Sequence, residues 1–305
     1  MSLNADTLLD RLYLKTQITR WRVLAVLFAV IAGVVAVYRF SPYSPIEAPY
    51  VARLSFDGII DDDQKTYDLI DSLGDNGKVK AVIVWLDTPG GSAVGGEETF
   101  LRLRQLAEKK PVVAVERSVA ASAGYMVALG ADRIYARPGT ITGSIGVLIE
   151  TAEITDLAEK LGIKPIIIKS SPLKAMPSPF EKDTPESDTV IKTVIMDFYN
   201  RFVDIVAERR HLPRDTVLKL ADGRVYSGQA AVEDKLVDAI GGEKEAMDWL
   251  VEKRHIRQGL DIRDVDPEQE TSLLDRLTQS IAGNFFNRSS VTLDGLVAVW
   301  HPRLH

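Results

Sequence analysis

An α/β domain with a mostly parallel sheet covered on both faces, preceded by one membrane-crossing helix, is the architecture the sequence predicts. Three observations predict it. From residue 51 onward, strand-length apolar runs alternate with helical patterns. The densest of those runs, 79–86, is rich in β-branched and aromatic residues, as a strand buried on both faces must be. Finally, residues 23–37 are fifteen consecutive Val, Leu, Ala, Phe and Ile with one Gly.

That last run sets the N-terminal expectation. Trp21 and Tyr38 flank it at the two interfaces, and the stretch 21–38 is about the minimum for a hydrocarbon core of roughly 30 Å. Lys15, Arg20 and Arg22 precede it, and Arg39 is the only basic residue after it until Arg53. The positive-inside rule then predicts a cytoplasmic segment 1–20, an anchor 21–40, a proline-bearing linker 41–50 and an extracytoplasmic remainder. On this reading the chain sits in a bacterial inner membrane and touches lipid through its anchor.

The exterior elements follow in order. Residues 51–56 read as a strand, and 64–73 carry Tyr67, Ile70 and Leu73 at helical spacing. After 79–86 comes a turn, 87–91, then a helix over about 95–109 and a strand over 111–115. A small-residue helix begins near Ser122. Residues 134–136, 145–149 and 165–168 are further strand candidates. The longest helix is expected to use Thr184 as N-cap and Pro185 as its first residue, and to reach Arg210. Shorter helices follow near 227–234 and 242–253. The domain is expected over 51–256, with 257–305 a linker and peripheral tail.

Composition narrows the chemistry. Hydrophobic residues at 46% and charged residues at 26% exclude a disordered chain. There is no cysteine, so no thiolate nucleophile, disulfide or Cys-ligated metal is available. Only His211, His255, His301 and His305 are present, which leaves little for a histidine-based triad or metal centre. A net charge of -6 without a basic aromatic patch predicts no nucleic-acid partner.

Three small-residue elements follow strands, where α/β sheets bind ligands: 87–91, 120–125 and 139–146. None has the sequence of a phosphate loop or a dinucleotide fingerprint. Within the second, Ser122 lies between alanines at a strand-to-helix handover, open to substrate and next to free helix N–H groups. A helix-capping serine would present the same pattern. For a base, lysine remains, and Lys174 has the most apolar immediate flanks of any exterior lysine, though a surface loop lysine fits too.

The motifs together carry a resemblance. Asp87-Thr88-Pro89-Gly90-Gly91, Ala121-Ser122-Ala123-Gly124-Tyr125, the run 142–147, Lys174 followed by Ser178-Pro179-Phe180, and 222–228 with Leu236-Val237-Asp238 occur in that order. In this the chain resembles the signal peptide peptidase A family of Ser-Lys membrane serine peptidases, in its short single-domain form. The resemblance implies a Clp-protease/crotonase-like fold of repeated β-β-α units. It implies Ser122 as nucleophile, Lys174 as general base, and the N–H groups of Gly91 and Ala123 as oxyanion hole. Gly90, Thr142, Gly143 and Ser144 would wall the substrate cleft. No metal or other cofactor is implied.

The same resemblance implies peptide, unfolded or membrane-protein substrates, signal peptides among them. It further implies a homo-oligomer whose site is shared between neighbouring subunits. Two departures are visible: Asp-Thr-Pro-Gly-Gly stands where the family commonly has Asn-Ser-Pro-Gly-Gly, and Ser-Ala-Gly where it has Ser-Gly-Gly. Both keep the backbone donors. A lysine base must be neutral to act, so activity is expected to rise from pH 7 toward 9. The competing expectation is an inactive peptide-binding scaffold of the same fold.

Overall fold

The computed structural model describes residues 15, 17–30, 32–33, 48–266 and 297–299. The chain divides into two compact units, Met1–Ala48 and Pro49–His305.

In the second unit, β1 (Tyr50–Ile60), β2 (Val79–Ser92) and β3 (Val112–Ala121) form a parallel centre, with β2 between its neighbours. β8 (Asp261–Val265) extends the sheet parallel to β1. On the other side β3 changes partner along its length. Its first half pairs with β4 (Arg133–Ala136) and its last residues with β5 (Ile141–Gly143). β6 (Val225–Ser227) runs antiparallel to β5, and β7 (Ala239–Ile240) lies parallel to β4. A short β9 (Val297–Val299) runs antiparallel to the end of β2. The sheet is therefore mixed.

Alternation sorts its core. Val82, Val84, Leu86, Val112 and Ala114 face the helices Gln64–Asp75, Ala93–Lys109 and Pro185–Arg210, meeting Ile70, Phe100, Leu103, Phe202 and Val206. Ala81, Ile83, Val113 and Val115 face the helix Glu243–Arg254 through Ala246 and Leu250. Burial on both faces is why 79–86 reads as an unbroken apolar run. The long helix begins as its sequence signals, with Thr184 Oγ1 accepting from Ser187 N–H at 3.2 Å and Pro185 in the first turn.

Several expectations need correction. The transmembrane anchor is overturned by the absence, among the described residues, of any helix long and apolar enough to cross a membrane. Residues 31 and 34–37 of the apolar run lie outside the described residues. With the anchor go the lipid contact and the inner-membrane placement, which rested on it. The expected homo-oligomer with a shared site is likewise without support, since the structure holds one copy of the chain and shows no interface between copies.

The repeated β-β-α units of a Clp-protease/crotonase-like fold are not what forms. β1, β2 and β3 are each followed by a single helix, in β-α-β-α order. The strand candidates 145–149 and 165–168 form no strand, and Ile166 and Ile168 are 87% and 94% exposed. β5 already has a strand on either side, so the sheet offers 145–149 no free edge there.

Candidate active site

The ends of β2, β3 and β5 converge on Ser122. β3 stops at Ala121 and a short helix starts at Ala123, leaving Ser122 alone between them with φ 55° and ψ -117°. A non-glycine residue in this region is strained, and a sharp strand-to-helix turn of this kind is how serine nucleophiles are projected. Ser122 is 1% exposed. It does not behave as a helix cap. Ser92, Thr184 and Ser227 have extended backbones and accept helix N–H bonds, whereas the Ser122 side chain accepts none. Its backbone is fixed from the β5 side, where its N–H donates to Gly143 O at 2.8 Å.

The glycines around it are set by close approaches. A Cβ on Gly124 would lie 2.6 Å from Thr88 Cγ2, and one on Gly91 would lie 1.9 Å from Ile60 O. Gly90 has φ 122°, and its N–H donates to Thr88 Oγ1 at 3.1 Å. The stretch 87–91, expected as a turn, is thus the last part of β2. Asp87 has a structural use there, accepting from Val119 N–H at 3.2 Å and lying 3.5 Å from Arg117. Ala123 takes its extra methyl at little cost because Gly96 faces it: a Cβ on Gly96 would come within 2.9 Å of Ala123 Cβ. As first residue of its helix, Ala123 has an N–H with no intrahelical acceptor.

On the third side, Thr142 pairs with Ala120 and Gly143 with Ala121. Gly143 has φ 82° and would clash with the Tyr226 ring if substituted. Ser144, also in the left-handed region at φ 50°, donates its N–H to Arg224 O at 2.9 Å. The structure thus gathers Ser122, Ala123, Thr142, Gly143 and Ser144 around one strand end, with Gly90 and Gly91 in the neighbouring strand. Lys174 is not tied to them. It lies exposed in the turn 171–175, its N–H donating to Ser171 O at 3.1 Å, and no hydrogen bond joins it to Ser122.

Sequence reasoning passed over Glu116. It is wholly buried in β3, with Oε1 3.1 Å from Thr142 Oγ1 and Oε2 unpartnered. Burial pushes its carboxyl up to about 8, against weaker downward pulls from the Thr142 hydrogen bond and Arg210. The signal was an acid inside an apolar strand, at the parity of Val112 and Ala114.

Residues 104–257, just over half of the chain, match Peptidase family S49. The chain belongs to that family. Its relatives include a protein of Synechocystis sp. named as a protease, 41% identical over 172 residues, or 56% of this chain and 62% of the relative. One from Methanocaldococcus jannaschii, also named as a protease, is 39% identical over 182 residues, covering 60% and 58%. Serine protease SPPA of Arabidopsis thaliana chloroplasts is 34% identical over 188 residues, covering 61% and 28%. The chain therefore spans less than two thirds of each of these S49 relatives. Among solved structures, a mutant of the 1510-N membrane-bound stomatin-specific protease, solved with a substrate peptide, aligns at TM-score 0.46. Its identity is 20%, over 78% of this chain and 100% of that one.

Proposed function

We propose that this S49 chain is a serine endopeptidase that cleaves extended peptide segments through an acyl-enzyme on Ser122. The observation that carries the reading is Ser122 itself. It is a buried serine, strained at a strand-to-helix junction, whose side chain makes no capping bond. In the reaction Ser122 Oγ attacks the scissile carbonyl while Lys174 takes its proton. The N–H groups of Gly91 and Ala123 hold the oxyanion, an interaction worth about 2.7–4 kcal/mol per donor. Lys174 returns the proton to the leaving amine, and water releases the acyl group by the same steps.

Lys174 stands in the exposed 171–175 turn without a hydrogen bond to Ser122, and a bound peptide lying across the cleft would remove water from both groups. The end of β2 supports a strand-like mode of binding. Residues Gly90–Ser92 already pair antiparallel with β9, so this edge accepts an extended segment. Substrates of the class are unfolded or extended polypeptides, signal peptides among them. Gly90, Thr142, Gly143 and Ser144 would border the cleft.

The test is hydrolysis of a fluorogenic unfolded protein by the full chain, by Ser122→Ala and by Lys174→Ala, from pH 7 to 9. Loss of at least about a thousandfold in both variants is expected, with wild-type rates rising as pH increases from 7. Turnover by Ser122→Ala equal to wild type would remove the serine from the reaction. Turnover by Lys174→Ala equal to wild type would remove the lysine. A folded wild type that cleaves nothing would leave the peptide-binding scaffold as the better reading.

A further inference from the structure

β3 is irregular just before Ser122. Leu86 pairs with Glu116 but Thr88 pairs with Ala120, so two steps along β2 correspond to four along β3. The same stretch is where β3 leaves β4, whose last pair is Glu116 with Ala136, and joins β5, whose first pairs are Val119 with Ile141 and Ala120 with Thr142. A bulge like this bends a strand and re-aims the residues beyond it. Two residues beyond Ala120 stands Ser122.

One side-chain cluster spans the bulge. Thr142 Oγ1 lies 3.1 Å from Glu116 Oε1 and 3.0 Å from Ala120 O, which joins the two ends of the irregular stretch through β5. The proton count decides how. Thr142 has one hydroxyl proton and two acceptors in range. If Glu116 were ionised, that proton would go to one of them, and Oε2 would remain an unpartnered charged oxygen in the core. If Glu116 holds a proton, its O–H donates to Thr142 Oγ1 and the Thr142 O–H donates to Ala120 O, so both contacts are satisfied.

We propose that Glu116 is a positioning residue for Ser122: as a neutral carboxylic acid it donates to Thr142, turns the Thr142 hydroxyl onto Ala120 O, and so closes the β3 bulge that aims the serine. The inference rests on Ser122 being the nucleophile. Its surroundings favour the neutral acid. Arg210, from the end of the long helix, and Asp238, ahead of β7, both act on Glu116, but they pair with each other at 2.8 Å. Arg210 also donates to Lys235 O, and no hydrogen bond runs from it to Glu116. Tyr125, in the helix after Ser122, lies within electrostatic reach of Glu116 but donates its hydroxyl to Leu236 O at 2.8 Å. Burial raises the Glu116 carboxyl to about 8, which keeps the proton in place at neutral pH.

The consequence is an alkaline limit on activity. When Glu116 loses its proton, Thr142 donates to the carboxylate instead and releases Ala120 O, and the bulge loses its closure. The rise with pH expected from a lysine base is then cut off by a fall that belongs to Glu116.

The experiment measures hydrolysis, and acylation of Ser122 by a fluorophosphonate, from pH 6 to 10 for wild type, Glu116→Gln, Glu116→Leu and Thr142→Val. Glu116→Gln keeps a neutral donor to Thr142. It should stay within about threefold of wild type at pH 7 and lose the alkaline fall. Glu116→Leu and Thr142→Val, checked for folding by circular dichroism, should be slower by about tenfold at pH 7. An alkaline fall in Glu116→Gln identical to wild type would overturn the proposal, as would Glu116→Leu matching Glu116→Gln. A second readout is independent of turnover: a carboxylic-acid C=O infrared band in wild type at pH 7 that Glu116→Gln lacks. Absence of that band in wild type overturns the proposal even if the enzyme is active. Its presence in a chain that neither cleaves nor acylates would sink the Ser122 reading, and the positioning role with it, while leaving the neutral acid established.

Discussion

Replacing Glu116 by Gln should change the pH dependence of stability by a predictable amount. The carboxyl rises from its ordinary value of 4.5 to about 8 in the fold, because burial penalises the charge. Between those values the folded chain holds a proton that the unfolded chain has released. The stabilisation of the protonated group is complete below about pH 4.5 and is lost as pH rises toward 8. At 1.36 kcal/mol per pH unit over roughly three and a half units, the loss totals about 4–5 kcal/mol. Gln carries no titration. Groups held low in the fold, such as Asp63 beside Thr66, are common to both chains and cancel. The assay is urea unfolding of both proteins, followed by circular dichroism, at pH 5, 6.5 and 8. The stability of Glu116→Gln relative to wild type should increase by about 3–4 kcal/mol from pH 5 to 8. A difference constant across that range would show that Glu116 is ionised in the fold and would refute the reasoning.

Further outcomes are expected from the packing around the serine. Gly124→Ala drives a methyl to 2.6 Å from Thr88 Cγ2 and should cost about 1–3 kcal/mol, most of it recovered in the double variant with Thr88→Ser. A thermal melt in which Thr88→Ser gives no recovery would show that the clash lies elsewhere. Tyr125→Phe leaves the buried Leu236 carbonyl without its donor and should lower stability by about 1–2 kcal/mol in urea unfolding, with no effect if that carbonyl finds another partner. Deleting 297–305 frees the Gly90–Ser92 edge of β2, so kcat/KM for an extended peptide should rise several-fold. An unchanged or lower value would mean that substrate does not use that edge.

What the sequence disclosed and what it withheld differ in physical kind. Strands 79–86 and 111–115 were legible because burial on both faces forces a near-continuous apolar run. The long helix was legible because its Thr184 cap, Pro185 and Arg210 end are all local signals. Ser122 could be singled out by its small neighbours and its place between a strand and a helix. Its departure from capping geometry could not, since that lies in φ and ψ.

β8 falls in the charged stretch read as a linker. Asp261, Arg263 and Asp264 are interspersed there with Ile262 and Val265, and edge strands carry such charges. One of them, Asp264, binds Arg53, which also reaches Glu243 and stacks on Trp85. Residues 165–168 looked like a strand because apolar runs report burial or β-propensity without saying whether a sheet edge is free to receive them. Of the apolar run 23–37, residues 31 and 34–37 lie outside the described residues, and among the described ones no helix is long and apolar enough to cross a membrane. Glu116 was passed over because its protonation depends on contacts between β3 and β5 that no local pattern encodes.

The central claim is that Ser122 is the nucleophile of this S49 chain. The most direct measurement is reaction of the folded full chain with a fluorophosphonate, followed by mass spectrometry of the digested protein. One adduct, on Ser122, lost in Ser122→Ala and slowed in Lys174→Ala, is the predicted result. An adduct on another serine that persists in Ser122→Ala, or a folded wild type that takes up no probe, would contradict it.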